Sequence, residues 1–301
     1  MTTEWSRIVT ADGYPLFGLG HGLENRGVAV LYVHGLGGNG FTLFTDELAI
    51  ALPGAGYPFV RANLRTADLL RIDEFPESGE VRKGGGAFHN FSDGMRDIAA
   101  WVEQIAAWGL PRVVLLGHSL GSLSATQYLA ETGDPRIVGL VLASTADLIA
   151  MHEARFTEEE RANFAELASE LLAAGRGSDL LPPACAMGLM HQPVSAAAYL
   201  DRFGSDPSWD VMDLFERGSQ RAFTALRAVH VPILAFFGSH GETVPVDQID
   251  HALDRLRWAA QQAPSFTTAT IEGANHFYTG HGQEVADVLV DWLAGHGWGP
   301  R

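Results

Sequence analysis

Ser119 stands at the centre of Gly117-His118-Ser119-Leu120-Gly121. A serine hydroxyl is too weak an acid to attack a carbonyl unaided, so it needs a base beside it and an anion site in front of it. The stretch before it, Arg112 to Leu116, is β-branched and apolar and reads as a buried parallel strand; Ser122 to Ala130 reads as a helix closed by Gly133 and Pro135. Strand, sharp turn and helix form the setting in which a G-x-S-x-G pentapeptide presents its serine at a sheet edge. The base belongs on another loop at that edge. His276, in Gly273-Ala274-Asn275-His276 between the last strand and the terminal helix, fits; His281 is the rival, and His118 reads as structural. A third group must orient the imidazole and stabilise its charged form. The loop after Phe237 supplies Glu242, with Asp147 and Asp247 as alternatives; Glu242 and Asp247 also read as solvated helix-start carboxylates.

The anion site is expected from two amides, that of Leu120 and one from His34-Gly35-Leu36-Gly37-Gly38, with Leu36 the first choice and Gly37 the second. Candidate substrate contacts are His34 and His89 beside that edge, and Met187 and Met190 farther along the chain. Gly35 to Gly40 also satisfies G-x-G-x-x-G after a strand and before a helix. The next strand ends Arg61-Ala62-Asn63-Leu64-Arg65, without an acid for a ribose, although Arg61 and Arg65 would suit a 2′-phosphate. An NADP-dependent oxidoreductase is therefore a minor alternative, and a helix start with spare amides serves an oxyanion equally well. The 12 histidines are scattered with no recognised ligand spacing, so no metal and no cofactor is expected.

These residues need a scaffold. From Val28 onward strand and helix patterns alternate: Val28–Val33, a helix through Phe44, Leu48 and Leu52, Tyr57–Ala62, a helix from Ser92, the strand before Ser119, and Ile137–Ala143. That alternation predicts an α/β fold with a mostly parallel, doubly wound sheet. A hairpin about Asp12-Gly13 precedes it. Residues 63–90 show no periodicity and read as a long loop. Strand patterns vanish from Asp147 to about residue 230, where a capping box at Thr157 and Glu160 and a stripe of Phe164, Leu167, Leu171 and Leu172 predict a helical insertion. Helical pieces are expected through Trp209, Met212 and Phe215. The sheet resumes at Val231–Phe237 and Phe266–Ile271. The domains expected are a core of 1–146 and 226–301 and a helical cap of 147–225, which reads equally as a second packed layer and as a lid that walls an apolar substrate with Met and aromatic side chains.

The formal charge of −16 over 301 residues disfavours nucleic acid and anionic membrane surfaces as partners. A lone cysteine, Cys185, makes no internal disulfide, and neither a leader nor a membrane-spanning run is read, so a cytoplasmic protein acting on a small-molecule ester is expected. Oligomeric state is not legible.

His34-Gly35, the Ser119 pentapeptide, the Gly238 to Pro245 loop and Gly273 to His276 together resemble the α/β-hydrolase superfamily in chain order, over nearly the whole length. That resemblance implies a cofactor-free hydrolase of esters, amides or thioesters, with its cap where residues 147–225 lie. Glu242 to Pro245, Gly273 to His276 and Ala197 to Phe203 are faintly similar to the fusarinine-type siderophore esterases. One departure concerns the acid: Gly241 occupies the position where that family usually has an aspartate, and Glu242 is its neighbour. The reading is a serine esterase working through an acyl-enzyme, with Ser119, His276, Glu242 and the Leu36 and Leu120 amides in the named roles. A non-hydrolytic enzyme or small-molecule binding protein on the same fold is the alternative.

Overall fold

The computed structural model describes residues 2–41, 44–75, 78–186 and 191–299. Met187 and Met190 lie outside them. The chain runs β1 (Thr3–Val9), β2 (Pro15–His21), β3 (Ala29–Val33), α1 (Thr45–Gly54), β4 (Phe59–Ala62), β5 (Arg71–Phe75), β6 (Glu80–Gly84), α2 (Phe91–Ala107), β7 (Val113–His118), α3 (Leu120–Thr132) and β8 (Ile137–Ala143). It continues α4 (Leu148–Arg155), α5 (Glu158–Ala173), α6 (Ala196–Phe203), α7 (Thr224–Arg227), β9 (Ile233–Gly238), α8 (Ile249–Ala259), β10 (Phe266–Ile271) and α9 (Gly282–Gly295).

Eight strands form one sheet in the order β1-β2-β4-β3-β7-β8-β9-β10. From β4 to β10 neighbouring strands are parallel, whereas β1 and β2 join antiparallel. Every residue of β3 and β7 is buried, as continuous apolar runs demand when both faces are covered. Side chains alternate between the two faces. Ala29, Leu31, Val33, Val113 and Leu115 pack with Ile98 and Trp101 of α2 and Leu123 of α3, while Val30, Tyr32, Val114 and Leu116 pack with Leu48 of α1 and Leu289 of α9. The α/β architecture is as expected.

Residues 63–90 depart from the expected loop. β5 and β6 form an antiparallel ribbon outside the main sheet, with Ile72 and Val81 exposed. Its sequences, RIDEF and EVRKG, lack an apolar face, so hydrophobic alternation could not reveal them. Polar contacts hold it: Arg71 and Asp73 pair at 2.6 Å, and the Tyr14 hydroxyl donates to Asp73.

Between β8 and β9 lie α4, α5, α6 and the short α7. The α5 capping box of Thr157 and Glu160 is present, and α5 packs Phe164, Leu167 and Leu171 against a separate small core containing Cys185 and Tyr199. Leu172 is exposed instead. Residues 204–223 carry no helix, contrary to the expectation of helical pieces. Trp209, Val211, Met212 and Leu214 join the main core there, fastened by polar side chains rather than by helical periodicity. Among the described residues no helix is long and apolar enough to cross a membrane.

Candidate active site

The C-terminal edge of β7 forces a tight geometry on Ser119. Its φ of 55° and ψ of −125° lie where a side chain is strained, at a cost of about 1–3 kcal/mol. The flanking glycines permit the turn. A Cβ on Gly117 would come 2.5 Å from Ser122 Cα, and one on Gly121 would come 2.1 Å from the Val33 carbonyl oxygen. Gly35 lies equally close from the other side, since a Cβ there would be 2.9 Å from Ser119 Cβ. Ser119 therefore stands against the loop that follows β3.

His276 reaches this point from the loop after β10, its Nε2 3.0 Å from Ser119 Oγ. It is buried and held at the main chain on both sides: its N–H donates to the Glu242 carboxylate, and its carbonyl accepts from His118 Nε2 at 2.9 Å. His118 thus supports the loop of His276, which the sequence did not indicate beyond a structural role. Burial first, and His118 second, hold the His276 imidazole well below its ordinary pKa of 6.5. Ring Nδ1 faces Thr243 Oγ1 at 3.4 Å. Sequence reasoning passed over Thr243, whose signal was its position beside Glu242 in the candidate acid loop.

Glu242 meets His276 at the main-chain N–H and not at the ring. Gly241 explains why no side chain precedes it: its φ is 67°, and a Cβ would come 2.5 Å from the Val246 nitrogen. Asp147 does other work. Fully buried, it caps α4 by accepting from the Ala150 N–H at 2.9 Å, accepts from the Leu214 N–H at 2.9 Å, and pairs with Arg217 at 3.0 Å. Asp247 is exposed in the turn Val246–Gln248. His281, the rival base, lies 3.4 Å from Glu284.

The loop after β3, where the anion site is expected, is fixed by His34. The Leu64 N–H donates to His34 Nε2 at 3.0 Å, so His34 Nδ1–H donates to the Gly35 carbonyl at 2.8 Å. Burial pushes the His34 pKa down to about 4, which keeps that ring neutral. Gly38 N–H donates to the same carbonyl at 3.1 Å. In a trans peptide the C=O and the following N–H point oppositely, so these bonds turn the Leu36 N–H away from His34 and Gly38. Gln192 Nε2 donates to the Leu36 carbonyl at 3.2 Å, a contact from the insertion that the sequence did not suggest. The Gly37 nitrogen packs on Gly86, whose Cβ position is 3.1 Å away. Leu120 opens α3, where an N–H has no intrahelical acceptor. Leu36 and Leu120 line one small cavity together with His34.

The other sequence candidates are engaged with protein groups. His34 is committed at both ring nitrogens to main-chain groups and supports the loop, while lining the small cavity with Leu36 and Leu120. His89 is engaged by the Tyr14 hydroxyl at 3.4 Å and Asp93 at 3.5 Å. The arginines that would have suited a 2′-phosphate are spent: Arg61 binds the Gly40 carbonyl and Asp46, and buried Arg65 binds Asp12 and Asp97. Among the described residues no group of three or more His, Cys, Asp or Glu side chains is placed to hold a metal ion.

Solved structures resemble the chain throughout. DcsB in complex with its substrate analogue gives a TM-score of 0.69 at 15% identity, over 98% of this chain and 99% of that one. Est1E from Butyrivibrio proteoclasticus, bound to ferulic acid, gives 0.63 at 17% identity over 96% and 98%. A bromoperoxidase from Bacillus anthracis gives 0.56 at 18% identity over 96% and 100%. At such identities the similarity is one of fold. Phospholipase YtpA of Bacillus subtilis (strain 168) is 32% identical over 73 residues, which are 24% of this chain and 28% of that protein. The chain therefore spans little more than a quarter of that relative's length. The sequence matches the alpha/beta hydrolase family over residues 30–288, from β3 into α9, and the chain belongs to that family.

Proposed function

We propose that the protein is a serine hydrolase that cleaves carboxylic esters through an acyl-enzyme. The observation that carries this reading is the 3.0 Å contact between His276 Nε2 and the Oγ of a serine strained at φ 55°. In the proposed cycle His276 takes the Ser119 proton as Oγ attacks the carbonyl carbon, and the Leu36 and Leu120 N–H groups receive the oxyanion. The intermediate collapses as His276 returns the proton to the leaving alcohol. Water, deprotonated by His276, then releases the acid. Esterases among the structures of like fold, and a phospholipase that shares a short segment, support the ester class.

The base requires Nδ1 to carry the hydrogen, and Thr243 Oγ1 is the acceptor in reach. Glu242 contributes by holding the His276 main chain. Since neither contact is a carboxylate on the ring, each is expected to matter less than the acid of a Ser-His-Asp triad, where loss costs about 10⁴-fold. Glu242→Gln and Thr243→Val are each expected to lower kcat by about 10–10²-fold. Asp147→Ala is expected to lower Tm and leave the kcat of the folded enzyme within about threefold, as loss of a buried cap and ion pair implies. A crippled kcat in folded Asp147→Ala would reassign the acid.

The pH profile gives a separate check. A base is active when neutral, and the His276 pKa is depressed by burial. The acid limb of kcat/KM is therefore expected to fall below pH 6.5, and a limb at or above 7 would contradict the buried, carboxylate-free ring. The activity itself is tested with p-nitrophenyl acetate. A burst of p-nitrophenol equal to the enzyme, followed by slower turnover, is expected, and tight binding of esters without turnover would favour a binding protein instead.

A further inference from the structure

Leu36, the proposed oxyanion donor, lies between two peptide planes, and each is held from a different part of the chain. The plane before it carries the Leu36 N–H and is set from the core, where His34 and Gly38 bond the Gly35 carbonyl. The carbonyls of Gly38 and Gly40 are likewise bonded from the core, by the Asp68 N–H and by Arg61. The plane after Leu36 is held from the insertion: buried Gln192 donates from Nε2 to the Leu36 carbonyl at 3.2 Å. A trans peptide is rigid, so fixing both planes fixes the Leu36 backbone between them. Gly37, at φ 68°, has no side chain to resist rotation of the second plane. Gln192 supplies that resistance. The loop it steadies adjoins Ser119, since a Cβ on Gly35 would come 3.3 Å from Ser119 Oγ.

The Leu36 side chain is steadied from the insertion too. It packs on Gly86, where a Cβ would come 2.8 Å from Leu36 Cδ1. Arg202 of α6 donates from Nη2 to the Gly86 carbonyl and, at 3.3 Å, to that of His89; the Ser195 N–H donates to the Ala87 carbonyl at 2.8 Å. Arg202 is fully buried, yet its Nε and Nη1 have no acceptor among the described residues. The adjacent Asp201 carboxylate is occupied by the Phe91 N–H, Trp209 Nε1–H and the Ser208 hydroxyl. Burial pushes the Arg202 pKa down only to about 10, so the charge persists at neutral pH. An incompletely paired buried cation is costly, and a use for it is to be sought. Through a low-dielectric interior its charge favours an anion at the adjoining loop. We propose that Gln192 and Arg202 are positioning residues of the anion site, so that the insertion completes the loop after β3 for the oxyanion. This inference rests on the serine-hydrolase reading of Ser119.

Variants of the full chain test it, each read by turnover of p-nitrophenyl acetate and by the Ki of a trifluoromethyl ketone, whose tetrahedral adduct on Ser119 places an oxyanion in the same site. Gln192→Leu is expected to lower kcat by about 10–30-fold with KM within about threefold, and to raise the Ki by the factor that kcat/KM falls. Gln192→Lys keeps a donor and is expected to stay within about fivefold of the parent. Arg202→Met is expected to shift kcat and Ki in the same direction as Gln192→Leu. Arg202→Lys, which keeps the charge and a donor for Gly86, is expected to recover most of that loss. Should the apolar variants not fold, Gln192→Glu, which keeps the shape and loses the donor at about pH 8, is compared with Gln192→Lys and is expected to be the slower. An unchanged kcat in folded Gln192→Leu or Arg202→Met, equal losses in Gln192→Leu and Gln192→Lys, or a lower kcat without a matching rise in Ki overturns the inference and leaves the reading of Ser119 standing. A parent that forms no adduct on Ser119 with either the ketone or a fluorophosphonate overturns that reading, and the inference with it.

Discussion

Ser119→Ala is expected to lower kcat on p-nitrophenyl acetate by on the order of 10⁴–10⁶-fold, leaving only what the anion site and binding provide. Its Tm is expected to stay within about 2 °C of the parent, because alanine at φ 55° bears the same backbone strain as serine and Oγ serves no main-chain group. Ser119→Gly makes the complementary point. It removes the hydroxyl and the strain together, so it is expected to be as inactive and to unfold at a higher temperature than Ser119→Ala. Chemical denaturation of the three proteins beside a turnover assay separates strain from catalysis. An alanine variant with a rate near the parent's would remove Ser119 from the mechanism.

Gly121→Ala carries the largest expected loss of stability. The added Cβ would stand 2.1 Å from the Val33 carbonyl oxygen and 2.5 Å from that of His34. Both are backbone atoms of β3 and the loop after it, so neither can swing aside as a side-chain tip would. Relief requires α3 to move away from β3, which also moves Leu120 and Ser119 relative to Leu36. A loss of about 3–5 kcal/mol, with activity reduced in whatever fraction folds, is expected. Gly54→Ala is the control: nothing lies within 4 Å of its Cβ position, and its φ is not positive. There the smaller unfolded-state entropy is expected to leave stability unchanged or raise it by up to about 1 kcal/mol. Urea midpoints for both variants, read at constant m, check the contrast.

How far the sequence carried depends on which physical signal each part emits. Val30 and Tyr32 face one layer and Leu31 and Val33 the other, so β3 is apolar throughout and legible at once. The elbow was legible because steric exclusion leaves only glycine at 117 and 121. His276 could be found because the last loop of the sheet presents few alternatives. The ribbon of β5 and β6 was illegible: charged strands held by Arg71, Asp73 and Tyr14 carry no hydrophobic period. Residues 204–223 misled for the opposite reason. Trp209, Met212 and Leu214 are buried, yet Asp147, Asp210 and Asp213 secure that stretch through Arg217 and main-chain amides in place of helical hydrogen bonds. The third group was legible only as a neighbourhood. Composition placed Glu242 in the loop, but whether its carboxylate met the ring or the main chain of His276 depends on the turn at Gly241.

The central claim is that His276 makes Ser119 the nucleophile of the folded protein. Intact-mass and peptide mass spectrometry after treatment with a fluorophosphonate test it most directly. One adduct per chain, located on Ser119 and lost in urea-unfolded protein and in His276→Ala, is the result expected. An unlabelled Ser119 in folded protein, or an adduct that forms equally well without His276, would contradict it.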